Sequence, residues 1–180
     1  MSRTKEALPL ADAYGLLEPG PVVLLATAHK GRRNVMTMSW HTMMEFEPPL
    51  VGCVVARSHY SHELLRAGRA CTINIPSTAL ADAVVGCGNT LGSEIDKFAE
   101  FGLRTSPASL VQAPLIDACH ANLECRIADT KMVASYDFFV LEVVAAWIDP
   151  RRRNARTLHH RGWGAFMKAG PTVQLASRMR

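Results

Sequence analysis

Six stretches of the chain are continuous or alternating apolar runs enriched in β-branched residues: 21–28, 35–40, 49–56, 70–75, 118–127 and 137–148. Runs of that length, bounded by Gly, Pro or charged turns, predict strands. The first two are separated by His29-Lys30-Gly31-Arg32-Arg33, which suits a hairpin loop and therefore antiparallel pairing. The last two are expected to pair in the same way across residues 128–136. Within the second run, alternation puts Val35, Thr37 and Ser39 on one face and Asn34, Met36, Met38 and Trp40 on the other.

Short helical stretches separate the strands. Residues 61–67 begin at Ser61, a capping residue type, and stop at Gly68. Ser77 opens a second stretch running through Val85, which Gly86-Cys87-Gly88 is expected to terminate. Ser93-Glu94-Ile95-Asp96 reads as a capping box with Asp in the acidic position, opening a helix that ends before Gly102. No glycine-rich dinucleotide fingerprint follows the first strand. Antiparallel strands with small intervening helices predict a mostly β (α+β) barrel-like domain, rather than a sandwich or a doubly wound sheet.

At 180 residues, 48% of them hydrophobic and 20% charged, the chain reads as a single domain, 1–180, with a core spanning about 20–170. The net charge of +4 owes much to Arg151, Arg152, Arg153, Arg156 and Arg161. That cluster is local and aromatic residues are only 7% of the chain, so a nucleic-acid surface is not expected. The polar opening segment and the shortness of every apolar run predict no signal peptide, no membrane span and a cytoplasmic protein. Cys53, Cys71, Cys87, Cys119 and Cys125 show no CxxC spacing and read as buried free thiols; Cys87, between two glycines, would be reactive only if exposed. His59, His62, His159 and His160 have no evident third ligand, so no metal site is expected. The methionines Met36, Met38, Met43 and Met44 around Trp40 read as core or subunit contact.

Three separated segments carry the chemistry that an anionic, nucleotide-sized ligand requires. Residues 34–40 bring the hydroxyls of Thr37 and Ser39 beside Asn34 and Trp40. Arg57-Ser58-His59-Tyr60-Ser61 lies where a strand gives way to a helix, a place where amides and hydroxyls converge on phosphate. Asp96-Lys97-Phe98 adds a cation. Taken in order with Glu47-Pro48-Pro49-Leu50, Thr72-Ile73-Asn74-Ile75-Pro76 and Gly92-Ser93, these segments resemble the flavin reductase-like FMN-binding split barrels, nearest the flavoredoxins, over residues 20–170.

The resemblance implies a six-stranded antiparallel Greek-key split barrel and a homodimer with FMN at the subunit interface. It further implies NADH or NADPH as electron donor, with a redox partner protein or a monooxygenase consuming the electrons. The alternative is a non-catalytic FMN-binding or electron-transfer protein reduced by a partner. By this resemblance Asn34 and Trp40 flank the isoalloxazine, and Ser61 and Lys97 meet the phosphate. Arg57 and Ser58 extend the phosphate loop, while Phe166, in Gly162-Trp163-Gly164-Ala165-Phe166, walls the flavin and His160 lines the nicotinamide or acceptor side. Tyr136 stands near a position where flavoredoxins carry a His.

Overall fold

The computed structural model describes residues 5–17 and 20–176; residues 1–4 of the polar opening segment, residues 18–19 and residues 177–180 fall outside it. In chain order the strands are β1 (Glu6–Ala7), β2 (Val23–His29), β3 (Arg32–Met38), β4 (His41–Phe46), β5 (Pro49–Val54), β6 (Ala70–Ile75), β7 (Thr105–Ser106), β8 (Leu115–Ile116), β9 (Ala121–Asp129), β10 (Phe138–Ile148), β11 (Leu158–His160) and β12 (Phe166–Lys168). The helices are α1 (Tyr14–Leu17), α2 (Tyr60–Gly68), α3 (Ala81–Asn89), α4 (Lys97–Glu100) and α5 (Val133–Tyr136).

The main sheet is antiparallel, in the order β3-β2-β6-β9-β10-β5-β4, with β1 added beside β10. All six expected strands belong to it, and both expected hairpin pairings, β2 with β3 and β9 with β10, are present. Although consecutive in the chain, β3 and β4 stand at opposite ends of this order, so the curled sheet stays open along that seam. This is a split barrel. β4 is not among the strands expected from sequence: only His41 and Met43 are half-buried and the other four residues are exposed, so no buried face marks it.

Inside the barrel, Leu25, Ile73, Leu123, Cys125, Phe139 and Leu141 form the centre of the core, against which Met36 and Met43 pack. A break in register between Val143 and Ala145 reverses the inward parity of β10, which buries Phe139, Leu141 and Val143 before it and Ala146 and Ile148 after it. A second core lies outside the barrel, where Val22, Leu24, Ala26 and Val35 meet Val84, Cys87 and Phe98 of α3 and α4. β2 is thus covered on both faces, which explains its unbroken apolar run.

The outer face of β6 and β9 carries a buried polar layer. Asn74 Oδ1 accepts from Ile116 N (3.0 Å) and from Asn122 Nδ2 (2.5 Å), and Thr72 Oγ1 donates to the Pro114 carbonyl (2.6 Å). Glu124, fully buried, accepts from Ser109 N (2.9 Å), Leu110 N (2.6 Å) and Trp147 Nε1 (2.9 Å). These bonds strap the β7–β8 segment onto the barrel.

Three local expectations are corrected. Ser61 lies inside α2, whose N-cap is His59; its hydroxyl is engaged by a distant strand rather than by the helix end. Asp96, not Ser93, caps α4, accepting from Phe98 N (3.0 Å) and Ala99 N (3.4 Å). Gly86 and Gly88 lie within α3, which runs on to Asn89. A Cβ on Gly86 would fall 2.3 Å from the Phe101 ring, so this glycine serves close packing. All five cysteines are buried free thiols. Burial pushes the Cys87 thiol up to about 11 and Cys119 to about 12, which removes the thiolate form at neutral pH.

Candidate functional site

A cavity of about 280 Å³ lies between β3, α3 and the β11–β12 hairpin, near the lower end of the roughly 300–1,000 Å³ typical of small-molecule sites. Thr37 and Ser39 supply hydroxyls to its wall, Val84 and Gly88 come from α3, and His160 and Phe166 close it from the hairpin. Thr37 Oγ1 donates to the Val84 carbonyl and fixes α3 against β3. A Cβ at Gly88 would meet the Thr37 side chain at 3.6 Å, an ordinary contact, so the cavity's width depends on the helix position. His160 and Phe166 are opposed in the β11–β12 ladder, with ring centroids 5.3 Å apart.

Next to this wall, the connection from α3 to α4 crosses β3. Asn34 is buried and its Nδ2 donates to Ser61 Oγ at 2.9 Å, while its Oδ1 has no hydrogen-bond partner among the described residues. A Cβ at Gly92 would fall 1.9 Å from that same Oδ1, so a glycine is required where the connection passes. Arg33 pairs with Asp96 at 3.0 Å and lies over the Phe98 ring at 4.6 Å, holding the start of α4 on β3. Lys97, only 4% exposed, donates to the Cys87 carbonyl at 2.7 Å. Its pKa is lowered by burial, with a smaller opposing effect from Cys87. An ammonium has three N–H donors, so two remain without an acceptor among the described residues.

The other expected residues lie elsewhere. Trp40 sits past the end of β3 and is 70% exposed. It shares the seam edge of the sheet with Met44 and Phe46, both exposed. Arg57 faces a second cavity, where its Nε donates to Asp137 Oδ1 at 3.2 Å and its Nη2 to the Ala134 carbonyl at 2.9 Å. Ser58 is exposed on the turn before α2, and Tyr136 is 67% exposed at the end of α5. The structure therefore brings Thr37, Ser39 and Phe166 to one cavity and Asn34 to Ser61, and it turns Arg57 toward another part of the molecule.

Residues 16–165 match the model of the flavin reductase like domain. The chain belongs to the flavin reductase-like family. A protein of Escherichia coli K12, the uncharacterized YddH, is 33% identical over 92% of this chain and 95% of its own length. An FMN-binding domain of a flavin reductase-like enzyme from Shewanella baltica superposes with a TM-score of 0.90 at 25% identity, over 96% of this chain and 97% of that one. Flavoredoxin from Methanosarcina acetivorans superposes with a TM-score of 0.76 at 27% identity, over 88% and 89%.

In this family member, Val84, Gly88 and Gly92 do not stand out from the sequence as site residues. The signals present were the Gly92-Ser93 motif and the density of glycines in residues 86–92, of which close approach explains Gly86 and Gly92. Among the described residues, no helix is long and apolar enough to cross a membrane, and no three His, Cys, Asp or Glu side chains gather around a common point.

Proposed function

We propose that this flavin reductase-like protein binds FMN beside β3 and works as an oxidoreductase, taking electrons from NADH or NADPH and handing them to an acceptor. The observation that carries the reading is the buried Lys97 ammonium with a single protein partner, next to a connection that also packs on a half-satisfied Asn34 amide. Buried polar groups left open in this way call for a partner, and the FMN phosphate and ring edge would supply it. An FMN phosphate carries close to two negative charges at neutral pH, which suits the two unused Lys97 donors. The free end of Asn34 suits the polar edge of the ring or the ribityl hydroxyls. Thr37 and Ser39 add hydroxyls, and the Phe166 and Val84 side chains exclude water from one side.

FMN, when bound, supplies the two-electron chemistry itself. The chain's part is positional. The Asn34–Ser61 bond fixes the amide in one orientation, and the Asp96 cap with Arg33 holds Lys97 in place. The open seam, with Trp40, Met44 and Phe46 exposed, is the face we assign to a second copy of the chain, because large apolar groups gathered at one sheet edge favour association.

The test is direct. The purified protein should show a flavin absorption band or bind added FMN in a titration, and light scattering on that sample should give twice the 19.7 kDa chain mass. Anaerobic NADH or NADPH should then bleach the band. Absence of both the band and FMN binding would reject the reading. Bound flavin that neither nucleotide reduces, but a redox protein does, would make the chain an electron carrier.

Lys97→Met removes the ammonium while keeping most of the side-chain volume. FMN affinity is expected to fall about tenfold or more, equivalent to the loss of one charge-assisted hydrogen bond. An unchanged dissociation constant in fluorescence titration would remove Lys97 from the site.

A further inference from the structure

A second cavity of about 440 Å³ opens between α2 and the corner where β9 passes through α5 into β10. Its floor is apolar, from Ile127 and Val133, and its rim carries Arg57, Arg66 and Arg69 against a single carboxylate, Asp137. Arg57 is engaged by Asp137 and by the Ala134 carbonyl. Among the described residues, neither the Arg66 nor the Arg69 guanidinium has a hydrogen bond or ion pair.

Two further observations distinguish this arrangement from a helix end that merely carries basic residues. The first is His62, which is 7% exposed and packs edge-on to Phe139. Its Nε2 has no hydrogen-bond partner among the described residues, and Asp137 Oδ1 lies 3.8 Å away, beyond hydrogen-bond reach. A buried ring nitrogen left open on a cavity wall is available to pair with a ligand there. The second is Arg69, which caps α2 at φ 53° and ψ 20°. That left-handed position favours glycine, and a residue with a Cβ pays about 1–2 kcal/mol to occupy it. A helix end gains nothing from arginine there that an unstrained neighbour could not supply.

The geometry points to a binding site for a small phosphate-bearing anion in this cavity, separate from the flavin reading. Three guanidiniums and one carboxylate leave two net positive charges on the rim, matching a phosphomonoester with close to two negative charges at neutral pH. Arginine suits tetrahedral oxyanions because its planar fork donates two parallel bonds. The apolar floor of Ile127 and Val133 accommodates a short organic group attached to the phosphate.

The experiment is calorimetric titration of the full chain, saturated with FMN where it binds, with inorganic phosphate, pyrophosphate and malonate. Wild type should bind pyrophosphate saturably, phosphate more weakly and malonate least. Arg66→Gln and Arg69→Gly should each weaken pyrophosphate binding about tenfold or more. Arg69→Gly also relieves the backbone strain, so its melting temperature should hold or rise, which separates lost binding from lost folding. Both variants should retain FMN at wild-type affinity, whereas Lys97→Met should bind FMN about tenfold or more weakly and keep pyrophosphate; the two readings therefore fail independently. No saturable binding by wild type, unchanged binding by both arginine variants, malonate binding without phosphate binding, or loss of pyrophosphate in Lys97→Met would each overturn the assignment.

Discussion

Gly92→Ala is expected to abolish flavin retention. The added methyl would fall 1.9 Å from Asn34 Oδ1, 2.4 Å from its Cγ and 2.8 Å from its Nδ2. No real pair of atoms tolerates such distances, and Asn34 cannot withdraw without breaking its bond to the fully buried Ser61. Either the amide leaves its orientation or the connection to α4 lifts from β3 and carries Lys97 with it. Overpacking of this kind costs about 1–3 kcal/mol, and a chain of this size loses about 2–4 °C of melting temperature per kcal/mol. FMN affinity should fall far more than stability does, by at least a hundredfold. The double variant Gly92→Ala/Asn34→Ala relieves the clash, so melting temperature should recover while flavin binding stays lost. Flavin binding at wild-type strength in the single variant would show that Asn34 has no part in the site.

Glu124→Ala is expected to give the largest loss of stability. The carboxylate is fully buried on the outer face of β9 and gathers two backbone N–H groups and the Trp147 indole. Its removal leaves those donors without an acceptor, at about 1–3 kcal/mol for each that stays dry. Because Ser109 and Leu110 are exposed, their amides regain water in part, and a total near 3 kcal/mol is expected. That corresponds to a drop of roughly 6–12 °C in thermal denaturation. Glu124→Gln keeps one acceptor oxygen and should recover part of the loss. FMN affinity of the folded fraction should not change, since the strap lies on β9 and the residues proposed to hold flavin lie on β3, α2 and α4. A melting temperature within a degree of wild type would mean that the β7–β8 segment needs no anchor.

The strands that could be read from sequence are those with a face to bury. β2, β3, β5, β6, β9 and β10 alternate or run apolar because the barrel core and the α3–α4 layer claim their side chains. β4 shows no such pattern because Met44 and Phe46 are exposed and only Met43 of its apolar residues packs on the barrel core. Ser61 shows how tertiary contact overrides local propensity. A serine opening an apolar stretch reads as a cap, yet a bond to Asn34, distant in sequence, takes its hydroxyl. Asp96 won the α4 cap over Ser93 because only its carboxylate reaches two backbone amides of the helix while also pairing with Arg33.

The residues beside β3 were legible as an ordered set of motifs, because Asn34, Thr37, Ser39, Ser61 and Lys97 carry polar groups in otherwise apolar or turn segments. Gly92 was not legible as a site residue, since its role is to have no side chain where Asn34 passes. The second cavity was equally hidden. Arg66 and Arg69 look like the basic end of a helix, and only folding sets them opposite the corner formed by residues 127–137.

The protected thiols have a practical corollary. Cys71 and Cys125 face each other across β6 and β9 inside the barrel, and Cys53 is equally enclosed on β5. Burial holds the Cys53 thiol in its protonated, unreactive form, and a hydrogen bond with Cys125 together with burial does the same for Cys71. Attack by an alkylating reagent on these positions must wait until strands part, so modification rate measures barrel opening rather than surface chemistry.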